Sequence, residues 1–304
     1  MEKKGLYAPT YYKDFECIKD KCRHSCCIGW EIDVDGETLK KYSNLEGELG
    51  EGIRESIACD GTPHFKLVGE RCPHLDERGL CKIIISIGEE HLCDICRLHP
   101  RFFNVTARGV EVGLGASCEE ACRTILSSDE YRDIIEIGKE EAEPVDFDAP
   151  ALREKVYSVL SERNKPYTER LSEIYEKFSV RPSLLSDREW QKLLSSLEYL
   201  DEGNKKLFSS FSSDLAPLKQ DLILERALAY FIYRHASSAK STEEFRTGLT
   251  FALFCERLLA SSIKAQEKTE DTSAAEIMRV ISEEIEYSTL NTDTLLSEIE
   301  FALQ

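Results

Sequence analysis

With 304 residues and 41% apolar side chains, the chain is long enough for one large domain or two ordinary ones, with a sizeable core. Its net charge of -18, from 39 Lys and Arg against 57 Asp and Glu, argues against a nucleic-acid partner, because phosphate binding needs concentrated cations. No apolar run reaches the roughly 18 residues of a membrane span. The opening MEKKGLYAPTYYKDFEC has no apolar stretch of the signal-peptide kind, so a cytoplasmic protein without a membrane partner is expected.

Residues 17–30, CIKDKCRHSCCIGW, place four thiols close together as Cys17-x4-Cys22-x3-Cys26-Cys27. Cys72, Cys81, Cys93-x2-Cys96 and Cys118-x3-Cys122 follow, so eleven of the twelve cysteines lie between Cys17 and Cys122. In a reducing compartment such clustering reads as metal ligation rather than disulfide bonding. The spacings do not separate a four-cysteine zinc site from an iron–sulfur site. Neighbouring side chains diverge, so Cys26 and Cys27 would reach one zinc ion only with an unusual backbone. A bulkier cluster, two separate sites, or one packed thiol would each accommodate the pair.

Between these cysteines, CDGTPHF and DERGLC read as turns, and FKLV and KIIISI are short apolar runs that leave strand and helix open. FFNVTARGVEVGLGA alternates at Val105, Ala107, Val110, Val112 and Leu114 about Arg108-Gly109, which predicts a hairpin. VGLGAS, residues 112–117, lacks the full G-x-G-x-x-G pattern and reads as a turn, so no dinucleotide-type fold is visible. The acidic, proline-interrupted KEEAEPVDFDAP, residues 139–150, divides a cysteine-rich region at 1–140 from a helical domain at 150–304.

Beyond it, PALREKVYSVLSERN starts a helix at Pro150, with Leu152, Val156, Val159 and Leu160 at helical spacing. DLILERALAYFIYRHA turns Leu224, Ala227, Leu228, Phe231 and Ile232 to one face. STEEFRTGLTFALFCERLLASSIKAQ has Ser241 as cap and Glu244 three residues on, with Phe245, Leu249, Leu253 and Leu258 inward and Cys255 a small buried hydrophobe. The expected fold is therefore mainly α, with a cysteine-rich metal-holding region and a small β-hairpin packed on a helical C-terminal domain.

The ordered set C-x4-C-x3-CC-x2-W at Cys17–Trp30, RCPHLDERGLCKI, GEEHLCDICRLHPRF and ASCEEACR resembles the flagellin lysine-N-methylase family, within a wider group of zinc- or iron-chelating cysteine domains. ERALAYFIYRHA is similar to that family's Glu-x4-Tyr-x3-Arg helix, here Glu225, Tyr230 and Arg234. The resemblance implies Cys17, Cys22, Cys26, Cys27, Cys72, Cys81, Cys96 and Cys118 as the family-type thiols, with Cys59, Cys93 and Cys122 outside the pattern. It also implies an iron–sulfur cluster of the 4Fe-4S type and methyl transfer to flagellin lysines. Eight thiols exceed the four such a cluster needs; the Cys22–Cys27 segment with Cys72, Cys81 and Cys96 is the favoured set. The C-x3-C-x2-C motif of the radical enzymes is not met, since position 29 is Gly.

Methylation with S-adenosylmethionine requires a neutral amine, and free lysine has a pKa of roughly 10.4, so the site must desolvate the ammonium or take its proton. Tyr11, Tyr12, Trp30, Phe102, Phe103 and Tyr230 are candidates for aromatic contacts to cations or for proton acceptance, although packing is the commoner role for Trp30, Phe102, Phe103 and Tyr230. His91 and His99 flank the CDIC pair as alternative metal ligands, and Arg97 and Arg101 are candidates to stabilise thiolates or hold the donor carboxylate. The acidic surface would suit a lysine-bearing substrate through steering, although solubility alone is the commoner reason for such a charge. Two other classes fit the same residues: a non-catalytic zinc protein and a redox metalloprotein.

Overall fold

A computed structural model describes residues 2–213, 221–266 and 273–304. Helix accounts for 54% and strand for 13%, so the fold is mainly α as the helical spacings predict. The chain forms two compact units, residues 16–101 and residues 1–15 with 102–304, rather than dividing near residues 139–150.

The strand β1 (Glu2–Pro9) belongs to the larger unit. The smaller unit contains α1 (Gly36–Ser43), α2 (Gly47–Glu55), a two-residue ladder of β2 (Ile57–Ala58) with β3 (His64–Phe65), α3 (Lys82–Ile87) and α4 (Asp94–Leu98). KIIISI is thus helical, and FKLV contributes only Phe65 to a strand. Ten buried residues form this unit's core: Ile32, Val34, Tyr42, Ile53, Ile57, Phe65, Leu75 and Ile83, with the thiols Cys72 and Cys93.

The larger unit carries a four-stranded sheet in the order β4 (Arg101–Val105), β5 (Gly109–Leu114), β1, β6 (Ile134–Ala142). The expected hairpin is β4–β5, closed by Thr106 N–H donating to the Gly109 carbonyl at 2.8 Å. Gly109 has φ +148°, and a Cβ there would meet the Gly5 carbonyl at 2.4 Å, so β1 approaches too closely for any other residue.

β1 runs parallel to β5 and antiparallel to β6, which explains why the acidic run is not a domain boundary. Glu140 and Glu141 lie opposite Lys4 and Lys3, so charges that look like a linker in sequence are cross-strand partners. Opposite charges at such positions stabilise the ladder.

After β5 comes α5 (Glu119–Ser127), and after β6 come α6 (Ala149–Leu160), α7 (Tyr167–Phe178), α8 (Asp187–Ser196), α9 (Asn204–Phe208), α10 (Asp221–His235), α11 (Thr242–Gln266), α12 (Ala274–Ile281) and α13 (Thr289–Leu303). A π-helical turn, Ser282–Glu286, follows α12. α6 begins with Pro150 in its first turn and is capped by Asp148, whose Oδ1 accepts from Ala151 N–H.

α10 is more deeply buried than a one-sided helix, with Tyr230 and Tyr233 enclosed alongside the predicted apolar face. α11 starts as expected, Ser241 Oγ accepting from Glu244 N–H, while Glu244 reaches back to Lys240 N–H. Phe245, Leu249, Leu253, Cys255 and Leu258 are all buried. Among the described residues no helix is long and apolar enough to cross a membrane.

Candidate functional site

The smaller unit gathers its thiols from four stretches of chain that have little regular structure of their own. Cys26 and Cys27 sit in a turn held by Ser25 Oγ, which accepts from Cys27 N–H, and by Gly29, whose φ of +79° suits glycine. Cys72 N–H donates to the Cys27 carbonyl at 2.8 Å, fastening the second stretch to the first. Cys81 bridges to Leu75 and precedes α3. Cys93 precedes α4 and Cys96 lies within it. Asp35 fixes that helix by accepting from Asp94 N–H and from Thr38 N–H, and Tyr42 donates to the His91 carbonyl at 2.6 Å.

Cys72 and Cys93 belong to this unit's core, and Cys27, Cys81 and Cys96 pack against it. The Cys93 and Cys96 sulfurs are 3.4 Å apart. Cys93, left out by the sequence pattern, is among the most buried thiols of this unit at 1% exposure. The signal that marks it is local: it is the first thiol of a C-x2-C pair ahead of a helical turn.

The thiols sense one another electrostatically. Hydrogen bonding from Cys26, opposed by burial and aided by Ser25 and the Arg71 charge, brings Cys27 down to about 7. Burial, with Cys27, Cys81 and Cys93 adding to it, pushes Cys72 up to about 12. Burial likewise raises Cys81. Within the close pair, Cys93 is lowered by its hydrogen bond with Cys96, while Cys96 is pushed far upward by the same bond and by burial. Thiols so close do not all ionise without a cation to offset the charge.

The other family-type cysteines are placed differently. Cys17 is exposed, and Cys22 Sγ donates to the His24 carbonyl at 3.3 Å. Cys118 lies in the larger unit, where it precedes α5 and is half-buried. Cys122 is buried there, donating to the Ala275 carbonyl, and Cys59 is exposed. All twelve cysteines are free thiols. Burial and the Arg101 charge depress His99 to about 4; His91 Nδ1 stands 3.7 Å from Glu90 Oε1.

Among the described residues no group of three or more His, Cys, Asp or Glu side chains is arranged to hold a metal ion as it stands. The five converging thiols nevertheless match an iron–sulfur cluster in donor chemistry, since such clusters are held by cysteine thiolates. A zinc ion is the other group such a donor set takes, and it would hold four sulfurs at about 3.8 Å from one another, a tetrahedron set by a Zn–S distance near 2.3 Å.

In the larger unit the helix motif residues serve two separate networks. Glu225 accepts from Tyr131 at 2.7 Å, from Arg170 at 2.6 Å and from Arg163 at 3.0 Å. The Tyr230 hydroxyl accepts from Ala116 N–H and Arg234 and donates to Glu286 Oε2 at 2.8 Å. His235 Nε2 lies 2.5 Å from Glu286 Oε1, and the Arg234 guanidinium stands 4.9 Å from the Phe102 and Tyr287 ring centroids. Glu286 reaches this interior from the π-helical turn, where Ser282, Glu284 and Ile285 are buried with it. Burial alone would raise Glu286, but Arg234 and His235 hold it down at about 2. It is therefore a fixed anion near neutral pH, not a proton acceptor. Tyr230 is hydrogen-bonded as well as packed.

Tyr11 is buried and raised by burial, Tyr12 and Trp30 are half-buried, and Phe103 is 45% exposed. Phe102 packs edge-on to Tyr230 and Tyr233. A Cβ on Gly113 would meet the Phe102 ring at 2.4 Å, so that glycine serves packing rather than a phosphate loop.

No family model matches the chain, and no solved structure matches it. Curated proteins do. It is 28% identical over 135 residues to a "Lysine-N-methylase" of Salmonella choleraesuis (strain SC-B67) and likewise to one of Salmonella typhimurium, the match covering 42% of this chain and 34% of each relative. It is 27% identical over 135 residues to "Flagellar biosynthetic protein FliU" of Salmonella muenchen, 42% of this chain and 80% of that protein. The match thus spans about a third of the length of the two methylases. These relatives bear out what the cysteine pattern suggests: the chain resembles the flagellin lysine-N-methylase family.

Proposed function

We propose that this chain is a protein-lysine N-methyltransferase that takes its methyl group from S-adenosylmethionine, acts on flagellin lysines and carries a 4Fe-4S cluster. The observation that carries the reading is the convergence of Cys27, Cys72, Cys81, Cys93 and Cys96 on one small core, in a chain similar to curated lysine-N-methylases. Four of those five thiols would hold the cluster. When bound, it would supply a redox-capable centre and a covalent tie between stretches that share few regular contacts. Arg71, close enough to lower Cys27, would offset part of the thiolate charge.

Transfer itself is a displacement at carbon. The neutral lysine nitrogen attacks the sulfonium methyl, the carbon–sulfur bond breaks, and its electron pair stays on sulfur as the neutral thioether. The proton surplus on nitrogen passes to water. Glu286, held ionised, takes no part in that step and instead fixes Tyr230 and His235 in place.

The test is protein purified without oxygen, analysed for iron and acid-labile sulfide, then incubated with S-adenosylmethionine and flagellin. Brown protein with about four irons and four sulfides, and flagellin heavier by about 14 Da per methyl from the displacement chemistry, are expected. Colourless protein with one or two zinc ions and unmodified flagellin would overturn the reading. That result would establish a second one, a non-catalytic zinc protein, which the 3.4 Å separation of the Cys93 and Cys96 sulfurs favours.

A further inference from the structure

Among the described residues there is no dinucleotide-type βαβ unit to hold a methyl donor, and the larger unit contains a groove of about 720 Å³ lined by residues of α6, the end of α7 and the start of α11. That volume is in the usual range for a small-molecule site. Three cations line it: Lys155, Lys177 and Arg246.

Lys177 is paired with Glu173, which it shares with Lys165. Among the described residues neither Lys155 nor Arg246 has a carboxylate partner; Arg246 donates to the Ser179 carbonyl at 2.8 Å. One carboxylate, Glu162, lies at the same groove, where Lys165 holds it at 2.7 Å. The lining also includes the half-buried ring of Phe178, which packs on the buried Phe245 at a centroid separation of 6.3 Å. The groove therefore presents two cations without a carboxylate partner and one half-buried aromatic ring to a single ligand.

We propose that this groove binds S-adenosylmethionine, with Arg246 and Lys155 taking the amino-acid carboxylate and the half-buried Phe178 ring facing the adenine. This rests on the methyltransferase reading. An anion between two unpaired cations gains charge-assisted hydrogen bonds, and a purine gains stacking area on aromatic faces.

The test is calorimetric binding of S-adenosylhomocysteine, the demethylated product, and of adenosine, which lacks the carboxylate, to the full chain prepared without oxygen. Lys155→Gln with Arg246→Gln is expected to weaken S-adenosylhomocysteine at least tenfold and adenosine less than twofold. Thr242→Trp, which narrows the groove from an exposed position at the start of α11, is expected to weaken both. Unchanged binding in both variants would overturn this site while leaving the methyltransferase reading intact. No binding of S-adenosylhomocysteine to the unsubstituted chain would overturn both.

Discussion

In the larger unit Trp190, Phe211, Phe251 and Phe254 stack at centroid separations of 4.5 to 6.3 Å, inside a core fed by α6 to α13. The smaller unit buries ten apolar residues, two of them cysteines, and its longest helix is α2 with 9 residues. Helices that short are marginal by themselves, and a core that small offers little to offset the entropy of ordering the chain. Cysteine follows the same division. Cys255 lies in the middle of α11 as a packed hydrophobe, whereas Cys27, Cys72, Cys81, Cys93 and Cys96 bring separate stretches together. Identical side chains thus stand in one unit as filling and in the other as fastenings.

The largest expected effect follows from that contrast. Replacing Cys27, Cys72, Cys81 and Cys96 together by Ser should abolish amide-exchange protection across residues 16–101 while α10 and α11 keep theirs. Equal protection in the substituted and unsubstituted proteins would show that the small core stands without its thiols, and the comparison would break.

Next comes a pair that tests the larger unit by itself. Arg153 and Glu111 are both fully buried, joined at 2.5 Å and 3.0 Å, and Arg153 also donates to Ser237. Glu111→Gln leaves a buried guanidinium without its counter-charge and should cost about 3–5 kcal/mol in urea unfolding. Adding Arg153→Met should recover much of it, because the charge is then gone.

A pH series sharpens the same unit. The folded-state value of Glu286, about 2, lies below its ordinary 4.5. A depressed carboxylate contributes stability that is present above about 4.5 and lost as pH falls toward 2, up to about 3 kcal/mol. Glu286→Gln should flatten that part of the acid limb. A limb of unchanged steepness would assign acid sensitivity to other carboxylates.

The smallest effect is expected at Cys255→Ala, about 1 kcal/mol for a buried thiol that packs and does nothing else. Metal content measured on the same protein should not change. A loss of metal would make this thiol a fastening too and erase the distinction between the units.

Much of the helical half was legible because burial on one side repeats every three to four residues. Leu224, Leu228 and Ile232 in α10, and Phe245, Leu249 and Leu253 in α11, announce their inward faces without reference to anything distant. The hairpin about Arg108-Gly109 was equally local. β1 and β6 were not legible, since each depends on a partner more than a hundred residues away, and Glu140 and Glu141 look like a linker until Lys3 and Lys4 are laid beside them. KIIISI could not be assigned from an apolar run of that length.

For the site, the sequence by itself determined that thiols are concentrated before residue 123 and that their spacing resembles one family. Only the tertiary structure decided which of them share a core: it joins Cys93 to Cys96, fastens Cys72 to Cys27, leaves Cys17 exposed and puts Cys118 in the other unit. The physical reason is that spacing governs contact only within a turn or two of chain. Beyond that, the separations between sulfurs follow from how whole segments pack, and no local pattern encodes them.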